Sequence, residues 1–268
     1  MQNNKQQQNK KDTSWNSVAS WYDELLKGDD SYQAKVILPN LLRVLDLKKG
    51  ESVYDLACGQ GYFANVFAHM GANVVASDLS KNLIETAKKN SKPASPSQGG
   101  EKINFYISPA HKAQFLKDNT IDTIVVVLAI QNIENVGEVF AECKRVLKKD
   151  GRIVLVLNHP AFRVPQGSDW YFAEGIQSRI VSQYLSPSKI YIDMTPGEKN
   201  PKKKIKTISF HRSLQDYVKV FSKNGFVITR LEEWISHKQS GTGPRQLAED
   251  KARKEIPMFM CLEIKNLK

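Results

Sequence analysis

Val53-Tyr54-Asp55-Leu56-Ala57-Cys58-Gly59-Gln60-Gly61-Tyr62-Phe63-Ala64 is the stretch on which the reading of this chain turns. A β-type run, Val53 to Leu56, passes through two glycines into a helical pattern. Such a turn lies at the end of a buried strand, and without Cβ atoms its backbone can bend sharply and let a ligand approach. Nineteen residues past Gly59, at the end of the next β-rich run, stands Asp78 in Ala76-Ser77-Asp78-Leu79-Ser80. A carboxylate there can accept both hydroxyl hydrogens of an adenosine ribose, so the two segments together predict a nucleoside cofactor site. Gly59-x-Gly61-x-x-Ala64 with Asp78 also satisfies the dinucleotide fingerprint. Asp55 separates the two readings. A carboxylate four residues before Gly59 repels a pyrophosphate resting on the turn and attracts an ammonium group. S-adenosylmethionine carries the ammonium and the ribose and no phosphate, and the charges favour it.

Outward from this loop, β-rich runs at 52–56, 73–77, 103–107, 123–128 and 152–157 alternate with helical patterns near 62–70, 80–90, 110–117 and 136–148. The alternation predicts an α/β fold, a Rossmann-like, seven-stranded, mostly parallel sheet with helices on both faces. Thr123–Leu128 has no polar alternation, as a central strand buried on both sides requires. Upstream, apolar residues at helical spacing over Trp15–Leu26 and Tyr32–Leu45 predict an N-terminal helical cap. Downstream, an aromatic-rich stretch leads to strand-like runs Lys189–Asp193 and Lys204–Phe210. Met194-Thr195-Pro196-Gly197 reads as their hairpin turn, giving an antiparallel insertion. A helix over Leu214–Lys223, a strand over Phe226–Trp234 and a last edge strand over Pro257–Ile264 complete the pattern. The expected plan is a disordered tail at 1–11, a helical cap at 12–50, the cofactor-binding core at 51–160, a substrate-covering insertion at 161–212 and the rest of the sheet at 213–268.

Composition narrows the class. The 268 residues carry 39 Lys+Arg and 28 Asp+Glu, a formal charge of +11, with 41% hydrophobic and 25% charged residues. These values suit a globular chain and exclude a fibrous or disordered one. The longest apolar run, Ile124 to Ile130, is far short of the ~20 residues of a membrane span. Residues 1–11 are polar and basic, unlike a secretory signal, so a soluble cytoplasmic protein is expected. Cys58, Cys143 and Cys261 have no CxxC spacing, and no motif calls for a metal. The lysine runs near the start, at Lys202, Lys203, Lys204 and Lys206, and at the end lack interleaved aromatics. They read as solvated loops, with RNA the alternative partner.

The sequence resembles the class I S-adenosylmethionine-dependent methyltransferases, above all their small-molecule branch, over roughly Trp15 to Lys268. The resemblance is carried by Asp55-x-Ala57-Cys58-Gly59-x-Gly61, by the acidic strand end at Asp78, by Asp122-Thr123-Ile124-Val125, and by Leu147-Lys148-Lys149-Asp150-Gly151-Arg152. Ala57 replaces the first glycine of the fuller motif. The resemblance implies S-adenosylmethionine as cofactor, with Asp55 facing its methionine amino group and Ala57, Gly59 and Gly61 lining methionine and ribose. It also implies that Asp78 holds the ribose hydroxyls and Leu79 covers the adenine. Ser108, Ala110 and His111 follow the third strand, at the adenine edge. Ala129, Ile130 and Gln131 follow the fourth, beneath the cofactor. The implied activity is methyl transfer to an O, N or C nucleophile of a small organic acceptor. An RNA methyltransferase and a catalytically silent cofactor-binding regulator are the alternatives.

Methyl transfer needs alignment, dehydration and sometimes a base. Asn158-His159-Pro160 follows the fifth strand, so His159 is a candidate base or a loop-shaping residue. Asn158 either holds the acceptor or caps backbone. His211, beside Arg212, is a second base candidate. Phe162, Arg163, Trp170 and Tyr171 are candidate acceptor contacts, or the insertion's own small core, with Arg163 suited to an acceptor carboxylate. Trp15, Trp21 and Tyr22 are candidate lid residues. The Asn-Pro-Pro-aromatic signature of nucleobase amine methylases is absent after the fourth strand, where Ala129-Ile130-Gln131-Asn132 stands.

Overall fold

The computed structural model describes residues 30–91, 103–195, 197, 199–200 and 204–267. The expected tail, the Trp15–Leu26 helix with its lid candidates, most of the loop after Ser91, and Pro196, Lys202 and Lys203 lie outside the described residues.

Five strands form up to residue 158: β1 (Ser52–Leu56), β2 (Asn73–Asp78), β3 (Asn104–Ile107), β4 (Ile121–Val127) and β5 (Leu147–Asn158). Two hairpins follow, β6 (Ser168–Ala173) with β7 (Ile176–Val181), and β8 (Ser188–Asp193) with β9 (Lys206–His211). The last strands are β10 (Phe226–Trp234) and β11 (Phe259–Asn266). The seven-stranded sheet has the order β10-β11-β5-β4-β1-β2-β3, and β11 alone runs against its neighbours. Pro257–Ile264 therefore does not make an edge strand. Phe259 to Ile264 are all buried, the signature of an interior strand, and β10 takes the edge.

A π turn, Gln33–Ile37, runs into helix α1 (Leu38–Leu45). The other helices are α2 (Tyr62–His69), α3 (Lys81–Asn90), α4 (Val136–Val146), α5 (Leu214–Lys223) and α6 (Gln246–Glu255). Their apolar faces cover both sides of the sheet. Leu41 of α1, Phe67 of α2 and Ile84 of α3 join one core, while Phe140 of α4 and Phe221 of α5 join the other. Each such side chain is worth about 1.5–3 kcal/mol of burial. Local signals start the helices where the chemistry requires: Ser80 accepts from Leu83 N at 3.2 Å to cap α3, and Ser213 with Asp216 forms a capping box on α5.

The helix expected near 110–117 is a series of turns instead. Arg145 of α4 donates to the Ala113 and Leu116 carbonyls at 3.1 and 3.0 Å, and Glu142 accepts from Ala113 N at 2.6 Å. Side chains of α4 satisfy backbone groups that a helix would have paired. The β8–β9 hairpin forms as expected, over slightly shifted bounds. The β6–β7 hairpin was not legible because Glu174 (φ 51°) and Gly175 (φ 76°) make its tight turn. A left-handed glutamate is a weak turn signal. No described helix is long and apolar enough to cross a membrane, and no metal-holding cluster occurs among the described residues.

Candidate active site

At the carboxyl ends of β1, β2, β3 and β4 the loops surround a cavity of about 380 Å³, the position at which open α/β sheets bind ligands. β1 delivers the first wall. After Leu56 the chain turns through Ala57 (φ 58°), Gly59 (φ 56°) and Gly61 (φ 74°), and Cys58 N donates to Ser77 O at 2.9 Å, tying the turn to β2. Ala57 pays for a left-handed backbone that glycine adopts freely. Ala57→Gly is accordingly expected to raise the unfolding free energy by about 1 kcal/mol, read as a higher Tm in a thermal melt. A lower Tm would show that the methyl group packs more than the backbone strains. Leu128 (φ 52°), after β4, is a second strained residue on the cavity wall. Strain of this kind collects where surrounding structure holds a ligand site in place.

Asp55 is 2% exposed and points into this wall. One carboxylate oxygen accepts the backbone N–H of Ala64, in the first turn of α2, while Oδ2 is buried without a partner among the described residues. Burial, and to a lesser degree the neighbouring Asp78, push its pKa up to about 7 against the pull of the Ala64 N–H. Asp78 is set differently. Its Oδ2 accepts from Gly59 N at 3.0 Å and its Oδ1 from Ser80 N at 2.8 Å. The carboxylate thus clasps the glycine turn to the start of α3. Burial raises its pKa, opposed by these backbone donors.

Of the residues expected at the cofactor, Asp55, Ala57, Gly59, Asp78, Leu79, Ser108, Ala110, His111 and Ala129 share the cavity wall. Three do not. A Cβ on Gly61 would stand 3.0 Å from the Phe105 ring and 3.2 Å from Ala87 Cβ, so this glycine serves the seating of α2 and not the ligand. Ile130 is fully buried in the core, and Gln131 turns back to donate to Leu128 O at 2.9 Å. The first residues past β4 wind into a short 3-10 turn, Ile130–Asn132, which sends these side chains away. Asn132, Ile133, Glu134 and Asn135 reach the wall in their place, as do Tyr62, Phe63 and Leu83. The polar run Asn132 to Asn135 just past a strand end was the available signal for the first group.

The expected catalytic and acceptor residues stand apart from this wall. His159 is 6% exposed, its Nε2 bonds Glu233 Oε1 at 2.7 Å and its Nδ1 accepts from Ala161 N at 3.2 Å. With Nδ1 accepting, Nε2 is the protonated nitrogen and donates to Glu233. Neither nitrogen is left to take a proton from an acceptor, and burial lowers the pKa despite Glu233. His159 is a corner post of the loop, not a base. His211, 4% exposed, donates its Nε2–H to Tyr184 O at 2.8 Å and does not line the cavity. Asn158 is exposed at the end of β5, outside the cavity lining. Phe162 packs on the His159 ring, Trp170 lies against Arg163 and Arg179, and Tyr171 is 54% exposed on the outer face of its hairpin. The β8–β9 hairpin does reach the cavity rim. Arg212, next after β9, donates to the Ile133 and Glu134 carbonyls, and Lys189 stands 3.5 Å from Glu134.

Residues 54–155, which span the strained loop, both carboxylates and β1 through most of β5, match the model of a methyltransferase domain. Over this stretch the chain resembles the S-adenosylmethionine-dependent methyltransferases. A demethylmenaquinone methyltransferase of Streptomyces avermitilis is 28% identical over 153 residues, 54% of this chain and 62% of that protein. A ubiquinone/menaquinone biosynthesis C-methyltransferase of Desulfotalea psychrophila is 31% identical over 128 residues, covering 46% and 49%. The chain thus spans less than two thirds of the curated relatives it matches. Among solved structures, an S-adenosylmethionine-dependent methyltransferase of Mesorhizobium loti has a TM-score of 0.64 at 22% identity, covering 85% of this chain and 96% of that one. One from Clostridium acetobutylicum has 0.58 at 17% identity, covering 94% and 98%. The shared feature is the fold.

The residues of this site fit S-adenosylmethionine, the cofactor of the proteins the stretch resembles. The orphaned Oδ2 of Asp55 is a buried acceptor that an ammonium group satisfies, and Asp78 keeps a lone pair for a hydroxyl donor beyond its backbone bonds to Gly59, Leu79 and Ser80.

Proposed function

We propose that this chain transfers the methyl group of S-adenosylmethionine to an O, N or C nucleophile of a small organic acceptor. The observation that carries the proposal is the unpartnered Oδ2 of Asp55 in the wall of a cavity built from the strand ends of this fold. The cofactor, when bound, supplies an electrophilic methyl on a sulfonium. The chain's own part is to hold and exclude water. Asp55 binds the ammonium end, Asp78 the ribose hydroxyls, and exposed Leu79 (49%) gives an apolar cover for the base. With neither His159 nor His211 in the cavity wall, alignment and desolvation do the work, and a nucleophile that needs no strong base suits the site. The named activities of the curated relatives, a demethylmenaquinone methyltransferase and a C-methyltransferase, favour a carbon nucleophile. We assign residues 161–212 as the insertion covering the acceptor, on the strength of the Arg212 and Lys189 contacts to the rim.

Thermal unfolding with S-adenosylmethionine, S-adenosylhomocysteine, NAD(H) and NADP(H), each added separately, tests the reading. A ligand at ~100-fold over its Kd adds about 2.7 kcal/mol. Stabilisation by the two adenosyl-sulfur compounds alone is expected, and stabilisation by the nicotinamides instead would overturn it. Affinity should also depend on pH. Asp55 must be ionised to hold an ammonium, and its pKa in the free site is about 7. Binding of S-adenosylhomocysteine should therefore tighten as pH rises from about 5.5 to about 7.5, through that value. Calorimetric titration across that range gives the profile, and a flat one would remove Asp55 from the ammonium site.

A further inference from the structure

We infer that Arg163, Arg179 and Arg253 form a binding site for an oxyanion, a carboxylate or phosphate monoester carried by the methyl acceptor. As a claim about the acceptor, this rests on the methyltransferase reading above. As a claim about an anion site, it does not.

The three arginines come from three elements. Arg163 lies just beyond β5, its N–H donating to His159 O at 2.8 Å. Arg179 is in β7, fixed by its Nε to Phe162 O at 2.9 Å and its Nη2 to Ser168 Oγ at 2.6 Å. Arg253 is on α6, which packs against β7, with its Nε on Ser240 Oγ at 3.1 Å. The Arg163 and Arg179 guanidiniums both lie against the Trp170 ring, 5.7 and 5.1 Å from its centroid. Aromatic contact of this kind holds guanidiniums in place without using their donors.

What marks this group is several cations together with no counter-charge; Arg212, the one other part-buried arginine without an ion pair among the described residues, donates to the Ile133 and Glu134 carbonyls. Among the described residues no carboxylate lies in ion-pair range of any of the three. Arg145 and Arg152, also part-buried, have one: Arg145 holds Asp118 and Glu142, and Arg152 holds Glu51 and Glu263. Asp169 attracts Arg179 through space without pairing. The Arg163 guanidinium makes no hydrogen bond among the described residues, and its Nε is buried. Burial, and then the like charges of Arg179 and Arg253, hold it below its ordinary pKa. Half-buried cations gathered without a partner are costly, and an anion that bridges them removes the cost. Planar guanidiniums with free donors suit two-pronged oxyanions.

The position fits an acceptor. β5 lies beside β4, with Val127 paired to Val156, so Arg163 follows the carboxyl end of the strand next to the one that ends in the cavity wall. The sheet end is the same one.

The test uses the full chain saturated with S-adenosylhomocysteine at fixed ionic strength. Inorganic phosphate and benzoate are titrated in separate arms with chloride as the reference, and tryptophan fluorescence is followed. Trp170→Phe identifies the part of the signal that comes from the site. A saturable response to phosphate or benzoate is expected, and the arm with the tighter response names the oxyanion. Arg163→Met should weaken it at least tenfold while leaving the S-adenosylhomocysteine thermal shift unchanged. Arg163→Lys should recover part of the affinity. Arg163 makes no side-chain hydrogen bond among the described residues, so Arg163→Met keeps the hairpin contacts that Arg179 supplies. No saturable response in the wild type, or an undiminished one in Arg163→Met, overturns the inference. Displacement of both probes by polyuridylate with a steep salt dependence also overturns it, assigning the cluster to an RNA backbone. Anion binding without any S-adenosylhomocysteine stabilisation supports the site and overturns the methyltransferase reading alone.

Discussion

Asp55→Asn is expected to weaken S-adenosylmethionine binding by two orders of magnitude or more and, without cofactor, to stabilise the fold. Both effects have one origin. The carboxylate is 2% exposed, has one oxygen without a partner, and titrates near 7 because burial disfavours its charge. A carboxyl whose folded pKa lies above its unfolded value of ~3.9 contributes stability that is complete below that value and lost as pH rises through about 7. At pH 8 the ionised group therefore costs the free protein roughly 2–4 kcal/mol, about three pKa units at 1.36 kcal/mol each as the upper bound. Asparagine keeps an acceptor for the Ala64 N–H, carries no charge, and cannot pair an ammonium. Melts of the free proteins at pH 5 and pH 8 check the first half: the Asp55→Asn protein should gain stability over wild type at pH 8 and only about a third as much at pH 5. Calorimetric titration with S-adenosylhomocysteine checks the second. A variant less stable at pH 8 would mean that the carboxylate is satisfied in the free site.

Asp78→Ala should be the more disruptive change. Its two oxygens hold Gly59 N and Ser80 N, so alanine releases both the glycine turn and the approach to α3. Each backbone donor left unpaired costs about 1–3 kcal/mol where it is buried, so a clear fall in Tm is expected with the loss of cofactor affinity. Asp78→Asn retains one acceptor and separates the two effects. It should melt close to wild type yet bind S-adenosylhomocysteine at least tenfold more weakly. A folded Asp78→Asn or Asp78→Ala protein with unaltered affinity would remove Asp78 from the ribose site.

The sheet and the cofactor wall were legible because both are written in local chemistry. Val53–Leu56 and Thr123–Leu128 lack the alternation of a half-exposed strand, Gly59 sits where φ is positive, and Asp55 and Asp78 sit at strand ends where only a ligand or a clasp rewards a carboxylate. What escaped depended on contacts between distant segments. The turns at 110–117 have helical spacing, but Arg145 and Glu142, some thirty positions on, take their backbone groups. His159 looked like a base from its place after β5, and only the fold brings Glu233 to its Nε2 at 2.7 Å. Gly61 and Gly59 are alike on paper. Phe105 and Ala87, arriving from β3 and α3, give Gly61 a packing task instead.

The placement of β11 has a kinetic side. β10 precedes β11 in the chain, yet β11 is the strand that joins it to β5, and β10 pairs with nothing else in the sheet. While the chain is being made, β5 and β10 are each a raw edge until Phe259–Asn266 is free to slot between them. Its closure on β5 links segments about a hundred residues apart, Phe259 with Asn158, while on its other side Phe259 pairs with Trp234. Such distant pairings close slowly and leave sticky edges open while they do. Refolding should thus be limited by the arrival of this strand, and substitutions at Leu262 or Ile264 should slow it more than equally buried changes in α1.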